Sequence, residues 1–154
     1  MFSTFLLAYD GTREGRDALR EATDLAKRIG ARIHLVCVAS LTPTELAAEG
    51  AVLSGLLEVE EEAMRSILAE GIAALRQDGV NAEGSLVVGL SPATEITALA
   101  TKIGADLIVV GHRDQSLLAR LWNGSVGQQL IAHAPCSVLI AVTARPRTAN
   151  AAAA

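Results

Sequence analysis

The sequence predicts an α/β fold: a doubly wound open sheet of five parallel strands, in the order 3-2-1-4-5, with helices on both faces. Three observations carry that expectation. The chain has 154 residues, enough for one domain with a real core and too few for a second. Its hydrophobic fraction is 51% and its aromatic fraction only 3%, so the core must be built from Ala, Val, Leu and Ile, the composition of a parallel sheet covered on both sides. Short apolar runs alternate with amphipathic ones, strand then helix, and right-handed crossovers make such an order a parallel sheet.

The first strand is Thr4 to Tyr9 (TFLLAY), nearly all apolar and broken by Asp10-Gly11-Thr12. From Arg13 to Gly30, Ala18, Ala22, Leu25, Ala26 and Ile29 fall at helical spacing, with Gly30 as the stop. Ile33 to Ala39 (IHLVCVA) is a second buried strand. Thr42-Pro43-Thr44-Glu45 then resembles a capping box with Pro at the first helical position. Leu53 to Leu75 places Leu56, Leu57, Met64, Ile67, Leu68 and Leu75 on one face of a long helix, opposite Glu58, Glu60, Glu61 and Glu62, which read as its solvated side. Ala82 to Val88 is the third strand. Ser91 as N-cap and Pro92 at the first position open a helix whose inner face is Ile96, Leu99, Ala100 and Ile103. Asp106 to Gly111 (DLIVVG) and Cys136 to Val142 (CSVLIAV) are the last two strands, with a helix from about Ser125 to His133 between them. Residues 1–143 form the domain, and 144–154 carry no periodicity a core could use and read as a disordered tail.

Composition excludes several classes. The net charge of -4 leaves no basic stripe to neutralise a phosphate backbone, and the single Trp122 and Tyr9 form no stacking platform, so nucleic acid is not an expected partner. No run approaches the roughly 18 apolar residues that span a bilayer, and the opening stretch meets Asp10 too soon for a signal peptide, so a cytoplasmic protein without membrane contact is expected. Cys37 and Cys136 sit in separate apolar runs with no CxxC, as buried thiols do in a reducing compartment. His34, His112 and His133 lack supporting ligand spacing, and no metal site is expected.

In an open α/β sheet, ligands bind beyond the carboxyl ends of the strands where the winding reverses. The residues there are Asp10-Gly11-Thr12, Ser40 and Leu41, Gly89, and Gly111-His112-Arg113-Asp114. The stretch from His112 to Asn123 is long for such a connection, which points to function. Gly124-Ser125 then opens a helix, where free N–H groups and the helix dipole suit a phosphate.

Gly111, the gap to position 114, and Gly124-Ser125 reproduce the spacing of the nucleotide motif of the universal stress protein family: Gly, two residues, Gly, nine residues, then Gly and Ser or Thr. The second glycine is Asp114 here. The resemblance covers nearly the whole chain, through Gly89 before Ser91-Pro92 to the His133-Ala134-Pro135-Cys136 entry into the last strand. It implies that Ala8, Tyr9, Asp10 and Val38 hold adenosine. It also implies that Val110, Gly111, Arg113, Asp114, Gly124, Ser125 and Val126 surround ribose and phosphates of ATP or AMP, with Mg²⁺ as a candidate companion. Val38 offers a purine an apolar wall, Asp10 accepts from ribose hydroxyls or the adenine amino group, and Arg113 pairs with phosphate. Asp114 opposes this: two unit charges about 4 Å apart repel by roughly 1–4 kcal/mol, unless that carboxylate faces solvent, pairs with Arg113 or shares Mg²⁺.

Two functions stay open: a stress module that binds ATP or AMP and signals through the 112–123 loop, and an interaction protein with a vestigial cleft. No catalytic residues are assigned, and hydrolysis, if any, would be slow. Strand one supplies one acid rather than a response regulator's cluster; GxGxxG, a Walker lysine and GxSxG are absent. Family members commonly pair through the last strand, which implies a homodimer through Ser137 to Val142.

Overall fold

The computed structural model describes residues 1–41, 43–47, 49–112 and 130–142. Its elements follow the chain as β1 (Thr4–Ala8), α1 (Arg13–Ile29), β2 (Arg32–Ala39), α2 (Pro43–Leu46), α3 (Gly50–Gln77), β3 (Ala82–Val88), α4 (Pro92–Ile103), β4 (Leu107–His112) and β5 (Ser137–Val142). Residues 130–133 are helical. The strands form one sheet in the expected order β3-β2-β1-β4-β5, and every pair is parallel, which is the part that the alternation of elements predicts. Thr42, residues 113–129, which take in Arg113, Asp114, Gly124, Ser125 and Val126, and the predicted tail lie outside the described residues.

The apolar runs of the strands are explained by burial on both faces. Phe5 and Leu7 enter a core shared with α1 and α3, while Leu6 between them enters a second core with Ala93, Ile96, Leu99 and Ala100 of α4 and with Leu130. Phe5, Leu6 and Leu7 are completely buried. Each contributes about 1.5–3 kcal/mol of apolar burial. Alternation of side chains along a strand therefore yields no polar alternation here. On α1, Ala18, Ala22 and Ala26 are buried, and these small residues let the helix lie close to the sheet.

Several element ends differ from expectation by one residue: β1 stops at Ala8, β2 begins at Arg32, β5 begins at Ser137, and β4 shifts at both ends. β4 begins at Leu107, although the Asp106 N–H already donates to the Thr4 carbonyl of β1 (3.0 Å), and the Asp106 side chain fastens the same junction. It accepts from the Ser3 N–H (2.7 Å), the Ser3 hydroxyl (2.8 Å) and the Thr4 N–H (3.0 Å), tying the start of β1 to the start of β4. β4 also runs on to His112, in register with Val142 of β5, so His112 belongs to the strand rather than to the loop after it. The N-cap at Ser91 is present, its hydroxyl accepting from the Thr94 N–H.

α3 is the main departure. Its 28 residues span about 42 Å, whereas the eight of β2 span about 26 Å, so the helix overshoots the sheet it covers. Met64, Ile67, Leu68, Ile72 and Leu75 pack on the core, and the turns before them reach past the carboxyl edge. Glu60 and Glu61 are partly buried there, not fully solvated as the periodicity suggests.

Candidate functional site

β1 and β4 are neighbours at the point where the winding reverses: the chain leaves β1 toward β2 and β3, and leaves β4 toward β5. A cavity of about 450 Å³ opens at this carboxyl edge. That is within the roughly 300–1,000 Å³ of small-molecule sites. Its walls are Ala8, Tyr9 and Asp10 after β1; Thr12, Glu14 and Gly15 of the α1 entry; Val36, Val38 and Ser40 of β2 and its end; Glu60 and Met64 of α3; Pro92 and Ile96 of α4; and Val110 and Gly111 of β4.

The turn from β1 into α1 organises the floor. The Thr12 N–H donates to Asp10 Oδ1 at 3.0 Å and the Thr12 hydroxyl donates to the same oxygen, while Thr12 Oγ1 accepts from the Gly15 N–H at 3.2 Å as the helix cap. One carboxylate oxygen of Asp10 thus shapes the turn. The other has no hydrogen-bond partner among the described residues. A Cβ at position 15 would lie 2.7 Å from Asp10 Oδ1, so this arrangement requires glycine there. Gly111 is constrained more severely, because a Cβ would lie 2.7 Å from the backbone oxygen of Glu14. The end of β4 and the first turn of α1 therefore meet backbone to backbone.

Tyr9 forms a wall rather than a free hydroxyl. It is buried, and its ring stands against the place where a Cβ on Gly71 of α3 would be, 3.0 Å away. Burial raises its phenol, Glu70 raises it further, and the charge of Arg16 pulls the other way. Behind the cleft, burial pushes the Cys37 thiol up to about 12, with the charge of Asp10 adding to the shift. A thiol so placed is packing, not a nucleophile. The described lining carries three carboxylates, Asp10, Glu14 and Glu60, and no Lys, Arg or His. Even so, among the described residues no group of three His, Cys, Asp or Glu could hold a metal ion.

Ala8, Tyr9, Asp10, Val38, Val110 and Gly111, all expected from the sequence, come together around this one cavity. Arg113, Asp114, Gly124, Ser125 and Val126 fall outside the described residues. Gly89 does not line it: β3 is an edge strand, and Gly89 is stacked close to Glu95 of α4. Thr12 and Ser40, placed at this edge by the winding rule, line it too, whereas sequence reasoning missed Glu14, Gly15, Val36, Glu60, Met64, Pro92 and Ile96 as site residues. The pattern Asp10-x-Thr12-x-x-Gly15 could have revealed the floor, being an acid, a cap and a small residue at turn spacing.

The Universal stress protein family profile matches residues 1–141. The chain belongs to this family. Among the relatives of this universal stress protein, one from Thermus aquaticus is 34% identical over 140 residues, covering 91% of this chain and 98% of its own. A solved universal stress protein family structure from Burkholderia pseudomallei is 30% identical with a TM-score of 0.71, covering 90% of this chain and 95% of its own. More distant structures share the fold: a universal stress protein in complex with cAMP (23% identity, TM-score 0.68, 93% of this chain and 98% of that one) and one from Arabidopsis thaliana with AMP bound (15%, 0.69, 97% of each).

Proposed function

We propose that this universal stress protein binds an adenine nucleotide, AMP or ATP, at the carboxyl edge of its sheet. The observation that carries the reading is the cavity at the winding reversal. It combines apolar walls for a base with an Asp10 oxygen that has no partner among the described residues and a side-chain-free backbone at Gly111. The universal stress proteins solved with cAMP and with AMP support the ligand class. In this reading Ala8, Tyr9, Asp10 and Val38 take the adenosine, and Val110, Gly111, Arg113, Gly124, Ser125 and Val126 take ribose and phosphates. Asp114 stands at the phosphate end. Mg²⁺ enters only as the companion of ATP. Hydrolysis, where it occurs, is slow, and the output reaches a partner through the segment 113–123.

Millimolar AMP or ATP with Mg²⁺ tests this. At a ligand concentration 100 times Kd, binding adds about 2.7 kcal/mol, which in a domain of this size raises Tm by about 5–10 °C. Replacing Gly124 with a bulky residue abolishes the rise. An unchanged Tm at saturating nucleotide would instead favour a second reading, an interaction protein with a vestigial cleft. The acidic lining of Asp10, Glu14 and Glu60 supports that alternative, as does Asp114 in place of glycine.

Assembly and location complete the proposal. Among the described residues β5 has β4 as its only neighbour in the sheet, and an edge of this kind suits pairing of two copies through Ser137–Val142. Light scattering at micromolar concentration gives twice the monomer mass if so, and the monomer mass if not. Among the described residues no helix is long and apolar enough to cross a membrane, in keeping with a cytoplasmic site of action, which cell fractionation checks.

A further inference from the structure

Glu60 is the one polar side chain that α3 contributes to the cavity. It is partly buried, and it has no hydrogen-bond or ion-pair partner among the described residues. Met64, one turn further along, lines the same cavity, and residues four apart lie on one helix face. The cavity therefore has an α3 wall made of a soft thioether, suited to a flat ring, with a carboxylate beside it.

Position within the fold says which end of a ligand meets that wall. α3 packs on β2 and β3, whereas α1 packs on β1, β4 and β5, so Glu60 and Met64 stand at the β2 end with Val38 and Ser40. Glu14 belongs to the opposite end, its backbone against Gly111. Asp10 lies between, with Oδ1 already engaged by Thr12. Its other oxygen faces the middle of the cavity, where ribose would lie, so the side-chain acceptors at the β2 end among the described residues are the Ser40 hydroxyl, which can also donate, and the Glu60 carboxylate, which can only accept.

We propose that Glu60 determines which base the cleft accepts, by reading the edge of the ring that rests on Met64. The inference rests on the nucleotide reading above. A carboxylate is an acceptor only. It accepts a hydrogen bond from an exocyclic amino group and repels a carbonyl oxygen at the same position. The ligand class is a planar base with an amino-bearing edge, as in adenine, against the oxo-bearing edge of hypoxanthine. A site that hydrogen-bonds an N–H rejects an analogue lacking it, and solvent access to a partly buried carboxylate reduces that discrimination to about 10- to 100-fold.

Calorimetric titration of AMP and of inosine monophosphate tests it, because the two share ribose and phosphate and differ at that edge. The wild-type protein binds AMP about 10- to 100-fold more tightly. Glu60→Gln, whose amide can turn to donate or accept, brings the two within about threefold. Glu61→Gln, one residue along and off the cavity, leaves the ratio as in the wild type. A Glu60→Gln protein that keeps the wild-type ratio overturns the proposal, as does one that loses affinity for both nucleotides equally, since that marks a ribose contact. If neither nucleotide binds the wild-type protein at millimolar concentration, the nucleotide reading falls and the proposal with it; if both bind and the ratio survives in Glu60→Gln, only the proposal falls.

Discussion

Substituting Gly111 by Ala adds one methyl group at the tightest point of the cleft. The new Cβ would lie 2.7 Å from the Glu14 backbone oxygen and 3.0 Å from its carbonyl carbon. Carbon contacts are comfortable only near about 3.5 Å, so α1 and β4 must separate by a large part of an ångström. Neither side can yield by a rotamer change: the obstacle is helix backbone, and the residue sits in a strand paired with β5 at Ala141. Overpacking of this kind costs about 1–3 kcal/mol, which lowers Tm by about 2–12 °C in a domain of this size. The same separation widens the phosphate end of the cleft, so affinity for AMP falls as well. Gly55→Ala is the matched control. Gly55 lies inside α3 with nothing within 4 Å of an added Cβ. Helix propensity therefore raises stability by about 0.5–1 kcal/mol. Chemical denaturation of both variants decides the matter: a Gly111→Ala protein as stable as the wild type, or a Gly55→Ala protein that is destabilised, refutes the packing described here.

Other substitutions and titrations probe separate parts of the molecule. Burial pushes the Asp106 carboxyl up, but hydrogen bonds from the Ser3 hydroxyl and from the Ser3 and Thr4 N–H groups outweigh it, and the net shift is downward. A lowered carboxyl favours the folded state above its unfolded value near 3.9, and that contribution disappears as pH falls through the folded value. Asp106→Ala thus costs about 1 kcal/mol at neutral pH, and the gap from wild type closes below about pH 4; a pH-independent gap in denaturation midpoints contradicts the assignment. Both thiols are raised mainly by burial, but only Cys37, raised to about 12, is fully buried, so it does not react with a disulfide reagent at pH 8 until the protein is unfolded, whereas the partly exposed Cys136 reacts first. Rapid native labelling of Cys37 would show that the core behind the cleft is open. Arg16 and Glu70 pair at 3.4 Å while about half exposed, so removing either charge leaves the denaturation midpoint nearly unchanged.

The fold was readable because a parallel sheet writes itself plainly. The runs TFLLAY, IHLVCVA and CSVLIAV, each bounded by polar or turn residues, read as buried on both faces, and Gly30 and Ser91-Pro92 marked the adjoining helix ends. The half of the cleft contributed by strand ends was equally readable, since Asp10, Thr12, Ser40 and Gly111 follow from chain order and the winding rule, and Val38 from the family resemblance. The half contributed by helices was not. Helical periodicity tells the inner face of α3 only where the helix lies over the sheet, and Glu60 sits on the part that extends beyond it, so it looked like its neighbours Glu58, Glu61 and Glu62. Pro92 and Ile96 read correctly as the start and inner face of a helix, but that a core-facing Ile96 also walls a cavity depends on how α4 approaches β1 and β2. Cys37 was legible as a buried thiol, whereas its nearness to Asp10 required the turn at Thr12 to be seen.

The claim on which the account depends is that an adenine nucleotide enters the cavity between β1, β2 and β4. Backbone amide shifts of isotope-labelled protein, followed as AMP is added to millimolar concentration, test it residue by residue. The account predicts saturable shifts at Asp10, Thr12, Gly15, Val38, Ser40 and Gly111, with none at the opposite edge of the sheet around Ala31, Asn81 and Ala105. Shifts confined to that opposite edge, or no shifts at all, would contradict it.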